Sequence, residues 1–266
     1  MLLNLIKTHI YNKCTEEVKL KLRRIYMNAY SFFYKNNLQK LAIINGSDKF
    51  GLHFYTQHYE FHFKKIRNER LKILEIGVGG HNNPFVGGGS LRMWKHYFKR
   101  SNIFSIDIYE KKKLEEHRIN IFKGNQIDKE FLLEIANKTN GFNIIIDDGS
   151  HVNKHVITTF EILFPFLKDG GFYVIEDTQT SYWPEFGGDS TNLNDVSTIM
   201  GYFKKYIDCV NYQEILTDEY NPTYFDINIA GIYFYHNLIF IKKGRNIELS
   251  NVVENGKIIS EIIVEN

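Results

Sequence analysis

Leu71-Lys72-Ile73-Leu74-Glu75-Ile76-Gly77-Val78-Gly79-Gly80 decides the fold. A short aliphatic run enters a glycine cluster, the pattern of a buried strand that ends in a sharp turn. Outward from it, similar runs recur at residues 102–107, 118–122, 142–147 and 171–176. Helical candidates lie between them at residues 90–98, 129–137 and 155–167. Strands alternating with helices predict an α/β protein built on a doubly wound, mostly parallel sheet. Upstream, apolar residues recur at spacings of three and four from Val18 to Tyr34. Residues 1–47 are therefore expected to form a helical N-terminal extension that covers the sheet or meets another subunit. The turn cluster Asn45-Gly46-Ser47-Asp48 closes that extension, leaving residues 48–266 as one main domain. Further on, a helix is expected over 196–206, paired strands over 232–241 turning near His236-Asn237, and a terminal hairpin at Asn255-Gly256.

Composition narrows the function. Of 266 residues, 43% are hydrophobic and 24% charged, ordinary globular usage. The 33 lysines and arginines nearly balance 31 acids, a formal charge of +2. No electrostatic footprint for nucleic acid or an anionic membrane follows from that balance. Cys14 and Cys209 lie far apart without a C-x-x-C, so neither a disulfide framework nor a zinc knuckle is expected. No apolar stretch approaches the roughly 20 residues of a membrane span. The opening residues lack the basic lead-in and cleavage site of a signal peptide. A soluble cytoplasmic protein is the expectation, with homo-oligomer formation open.

Ligands of an open α/β sheet bind beyond the carboxyl ends of its strands. The first strand ends in glycines that permit a tight turn and close approach of a ligand. The second ends in Asp107, an acid suited to a ribose diol. Asp107 follows Gly77 by 30 residues, against roughly 20 in a dinucleotide fingerprint. The excess is the loop HNNPFVGGG, which delays the next helix to Ser90. No lysine follows the Gly87-Gly88-Gly89 cluster, so it is not a P-loop. A cofactor with a ribose and no pyrophosphate fits this loop, and S-adenosylmethionine (SAM) is the common one.

The fourth strand ends in Asp147-Asp148-Gly149-Ser150-His151 and the fifth in Glu176-Asp177. If those strands are neighbours, Asp148, Glu176 and Asp177 converge. Clustered carboxylates repel unless a cation neutralises them. Oxygen ligands favour Mg²⁺ or Mn²⁺ over zinc. His151, three residues after Asp148, is placed to act as general base. His151 and His155 have helical spacing for zinc, but Val152, Asn153 and Lys154 lack the glutamate of a zinc-protease motif. Ser150 stands in no nucleophile elbow. Tyr182 and Trp183, in a polar and aromatic stretch ending in Gly187-Gly188, read equally as an acceptor wall or as a loop packed on the core.

The blocks LEIGVGG, GGGSLRMWKHYF, SIDIY, FKGNQID, IIIDDGSHVNKHV and LFPFLKDGGFYVIEDTQTSYWPEFGG occur in this order over residues 48–190. Together they resemble the metal-dependent sugar O-methyltransferases of macrolide biosynthesis, the mycinamicin and macrocin type. The resemblance implies a Rossmann-like class I methyltransferase domain over 48–266, dependent on SAM and Mg²⁺ or Mn²⁺. It implies metal carboxylates at Asp148, Glu176 and Asp177, and a catalytic base at His151. It implies SAM contacts along Gly77, Gly79, Ser90, Asp107, Asn125, Gln126 and Asp147. Asn125 stands where the family usually carries Asp. Macrolide-type members also carry a substantial N-terminal domain, so their acceptor is not carried over. Such enzymes occur in capsule loci too, and the acceptor can be a sugar, a nucleotide-activated sugar or a phosphoryl oxygen such as that of a phosphoramidate. Two competing readings are a nicotinamide-dependent oxidoreductase, which the long glycine loop disfavours, and a non-catalytic SAM-binding module.

Overall fold

The computed structural model describes residues 13–217 and 219–258, so residues 1–12 of the expected extension lie outside the described residues. The chain divides into two compact units, Met1–Asn125 and Gln126–Asn266.

Among the described residues of the first unit, three helices precede the first strand: α1 (Glu16–Tyr34), α2 (Leu38–Asn45) and α3 (Thr56–Phe63). Their boundaries follow capping chemistry. Thr15 accepts from the Val18 N–H, Asn37 accepts from the Lys40 N–H, and Gly46 ends α2 in a left-handed conformation. Strand β1 (Lys72–Ile76), helix α4 (Gly89–Tyr97), strand β2 (Asn102–Asp107) and strand β3 (Ile119–Lys123) follow. The strands pair in parallel, with Ile73 opposite Ile103 and Ile103 opposite Ile119. Ile73, Leu74 and Ile76 are all buried, as a strand covered on both faces requires. Trp94 and Phe98 pack against Tyr59 and Phe63, the Tyr59 and Trp94 rings lying edge to face at 4.9 Å.

The second unit runs α5 (Lys129–Thr139), β4 (Phe142–Asp147), α6 (Asn153–Leu163), β5 (Leu167–Glu176), α7 (Ile199–Lys204), α8 (Tyr206–Val210), α9 (Tyr224–Asn228), β6 (Ile229–Tyr235) and β7 (Leu238–Lys243). β4 and β5 are parallel neighbours, with Ile144 opposite Phe172, while β7 is antiparallel to both β5 and β6. Phe160 of α6 centres the core, stacked with Phe225, tilted against Phe164 and edge to face with Tyr173 and Phe203. A small hairpin, β8 (Val253–Glu254) and β9 (Lys257–Ile258), turns at Asn255-Gly256 as expected. Strand order in the seven-stranded sheet is β3-β2-β1-β4-β5-β7-β6. The doubly wound, mostly parallel sheet read from the sequence is the one observed.

Three elements differ from expectation. The helix expected over 155–167 is α6, ending at Leu163, because Pro165 converts Phe164–Phe166 into a 3-10 turn. β5 then begins at Leu167, four residues before the expected start at 171, and carries Gly170 and Gly171 inside the strand. The helix expected over 196–206 is two short helices that meet at Lys205.

Candidate metal and cofactor sites

In the first unit the strand ends build a glycine loop. The Gly77 N–H donates to the Ile106 carbonyl at 2.8 Å, holding the loop's start in sheet register. The Val78 N–H donates to Asp107 Oδ2 at 2.9 Å and the Tyr109 N–H to Oδ1 at 2.8 Å. Asp107 therefore ties the loop to the end of β2, and each carboxylate oxygen keeps a lone pair for a further donor. Gly87, at φ 116°, admits no side chain: a Cβ there would overlap the carbonyls of Val78 and Gly79. The buried Lys111 ammonium donates to the Asn83 carbonyl at 2.8 Å and the Val86 carbonyl at 3.0 Å, holding the insertion that lengthens the loop. Nothing in the spacing of Lys111 announces that role. Gly79 is exposed, Ser90 is half-buried on the first turn of α4, and Asn125 is exposed after β3.

In the second unit Gln126 and Asp147 are both buried and face each other. Gln126 Nε2 donates to Asp147 Oδ1 at 3.3 Å and to Thr159 Oγ1 at 3.2 Å, while its Oε1 accepts from the Ser150 N–H at 2.8 Å. Burial pushes the Asp147 carboxyl up to about 7, against the pull of the Gly149 N–H, and the charge of Asp148 adds to the rise. This buried network fixes the turn that leaves β4.

Beyond that turn, one ligand atom from each of Asp148, His151 and Asp177 lies within 4.8 Å of the others. His151 Nε2 stands 3.6 Å from Asp177 Oδ2 and 3.9 Å from Asp148 Oδ1. His151 and Asp177 adopt left-handed backbones, φ 56° and 55°, a conformation that costs a non-glycine residue about 1–3 kcal/mol. Asp148 and Asp177, both half-buried, offer oxygen donors that fit a divalent cation with coordination positions left open, and the half-buried His151 imidazole stands beside them. Glu176, the last residue of β5, is buried and lies outside this group of the described residues.

Asn153 is a second residue, besides Lys111, that sequence reasoning missed. It begins α6, two positions after His151, and is buried. Its Nδ2 donates to the carbonyls of Thr180 and Phe186, both at 2.9 Å, and its Oδ1 accepts from the Ile199 N–H at 2.6 Å. The Thr180 N–H and hydroxyl in turn donate to the Asp177 carbonyl. One carboxamide thus links the His151 turn to the Asp177 turn. The 3-10 turns Thr178–Tyr182 and Pro184–Phe186 carry Tyr182, half-buried, and Trp183, exposed with its ring 6.0 Å from Phe186. His155 Nδ1 lies 2.9 Å from Ser150 Oγ.

Sheet order and strand-end glycines and acids define the Rossmann-like fold of class I methyltransferases. No family model matches the chain. It is similar to mycinamicin VI 2''-O-methyltransferase of Micromonospora griseorubida, with 47% identity over 216 residues, 80% of this chain and 54% of that protein. Demethylmacrocin O-methyltransferase of Streptomyces fradiae gives 47% identity over 80% of this chain and 55% of that protein. Among solved structures, the MycE methyltransferase of the mycinamycin pathway in complex with Mg and SAH matches with a TM-score of 0.78, 47% identity, and coverage of 80% of this chain and 55% of that one. The resemblance carried by the sequence blocks is borne out. The chain spans about half the length of the curated relatives it matches.

Proposed function

We propose that the chain is a SAM- and Mg²⁺-dependent O-methyltransferase whose acceptor is a sugar hydroxyl. The carrying observation is the Asp148, His151 and Asp177 group beyond the ends of β4 and β5. The names of the relatives, all O-methyltransferases, and the Mg and SAH held by the matching structure support the same reading. In it, Asp148 and Asp177 hold the cation, with Glu176 as the third acid of the strand end. Gly77, Gly79, Ser90 and Asp107 serve SAM in the first unit, and Asn125 keeps the position of its block without the acid. Gln126 and Asp147 keep the β4 turn rigid beneath the second unit's site.

A bound divalent cation supplies charge that lowers the pKa of a hydroxyl acceptor. His151 Nε2 accepts the hydroxyl proton, and the freed oxygen attacks the SAM methyl in line. The products are the methyl ether, S-adenosylhomocysteine and the proton left on His151. The carboxylates beside His151 and its fixed backbone orient the ring for that transfer. Tyr182 and Trp183 flank the acceptor. Among the described residues no helix is long and apolar enough to cross a membrane, and we place the reaction in the cytoplasm.

Calorimetry with SAM, S-adenosylhomocysteine and NAD tests the cofactor, and labelled methyl transfer to glycosides, nucleotide sugars and phosphoryl esters tests the acceptor. Heat from SAM and its product, none from NAD, and label on a sugar hydroxyl are expected. Heat from NAD alone would overturn the methyltransferase reading. Label confined to phosphoryl oxygens would overturn the hydroxyl acceptor while keeping methyl transfer.

A further inference from the structure

An asparagine at a helix start ordinarily caps its own helix, but the Asn153 carboxamide is used elsewhere. The cap position of α6 is Val152, which makes no side-chain cap bond. The Asn153 side chain makes its three hydrogen bonds to backbone atoms 27, 33 and 46 residues along the chain. Its Nδ2 reaches one carbonyl in each of the turns Thr178–Tyr182 and Pro184–Phe186. Its Oδ1 takes the first N–H of α7. The residue is 1% exposed. A buried polar group whose partners are all in place specifies one arrangement of the chain around it.

That arrangement joins two left-handed turns. His151 lies two residues before Asn153. On the other side, the Thr180 carbonyl that Asn153 holds belongs to the residue whose N–H and hydroxyl donate to the Asp177 carbonyl, at 3.2 and 3.1 Å. Both His151 and Asp177 have positive φ, which a non-glycine residue keeps only where its surroundings impose it. The contacts that run from Asn153 through Thr180 impose it at Asp177. Resting on the reading of this group as a cation site, we infer that Asn153 is its positioning residue. Asn153 sets the 3.6 Å between His151 Nε2 and Asp177 Oδ2. Through the Phe186 carbonyl it also holds the turns that carry Tyr182 and Trp183 against α6. It touches neither the cation nor the acceptor, and acts by fixing the backbone of residues that do.

Mn²⁺ titration by electron paramagnetic resonance, with hydrogen exchange, tests the inference on the full chain. Asn153→Ala should raise the Mn²⁺ dissociation constant about 10–100-fold and speed amide exchange across residues 177–188. SAM affinity, by calorimetry, should stay within a few-fold of the parent. Thr180→Val removes the hydroxyl bond to the Asp177 carbonyl and should weaken Mn²⁺ binding a few-fold. Ser181→Ala is the control. The buried Ser181 Oγ accepts from the Met200 N–H at 3.0 Å, so its loss should lower the melting temperature and leave Mn²⁺ affinity at the parental value. Mn²⁺ held equally by the parent and Asn153→Ala would overturn the inference. So would an equal loss of affinity in Ser181→Ala, the mark of general destabilisation. If Asn153→Ala does not fold, Thr180→Val decides, and parental Mn²⁺ affinity there overturns the inference. A parent chain that binds no Mn²⁺ is a distinct result, which would sink the cation reading and the inference with it.

Discussion

His151 concentrates the chemistry at the scale of single residues. Its imidazole stands between two carboxylates, and its φ of 56° shows that the turn holds it against the ordinary backbone preference. His151→Ala should lose methyl transfer by roughly 10²–10⁴-fold, the usual worth of a general base. SAM affinity, measured by calorimetry on the same variant, should stay within a few-fold of the parent. His155→Ala should be milder, since His155 reaches the site only through Ser150 Oγ. Near-parental activity in His151→Ala would remove the base from the mechanism. Asp148, His151 and Asp177 were legible in the sequence because acids at the ends of buried strands have few structural reasons to cluster. The burial of Glu176 was not legible, since successive residues at a strand end do not share a face and residue order alone does not say which way each points. Asn153 was illegible for a different reason: its partners lie 27 to 46 residues away, and a lone Asn at a helix start signals only a cap.

Elements show the same division. The five parallel strands were legible because their aliphatic runs end in glycine or acid. The start of β5 was not, because Lys168, Asp169 and Gly170 break the aliphatic run although the strand passes through them. For α1, periodicity gave an apolar face but not its direction, and Val18, Leu22, Ile25 and Phe32 are exposed. The polar contact between α1 and α4 sets a pH dependence. His96 Nε2 lies 2.8 Å from Asn28 Oδ1. Burial first, then the neighbouring Lys95 charge, pushes the His96 imidazole down to about 4 from 6.5. Between those values the unfolded chain binds the extra proton, so stability is full above the upper value and falls as pH falls toward 4. A shift of this size corresponds to at most about 3 kcal/mol, and to less once solvent screening is counted. Hydrogen exchange of the α1 amides at pH 7 and pH 4.5 should show weaker protection at the lower pH. His96→Gln should flatten that difference, and protection that rises on acidification would contradict the assignment.

At the scale of the whole molecule, the order β3-β2-β1-β4-β5-β7-β6 delivers the ends of β4 and β5 side by side, which the doubly wound reading required. The acceptor was not legible at this scale, because the chain spans about half the length of the relatives it matches. The central claim is that Asp148 and Asp177 hold a divalent cation. Electron paramagnetic resonance titration with Mn²⁺ tests it most directly, on the parent chain and on Asp148→Asn and Asp177→Asn. One ion per chain is the expected result, with affinity reduced at least about tenfold in each variant and SAM binding retained. Equal Mn²⁺ affinity in the parent and both variants would contradict the claim.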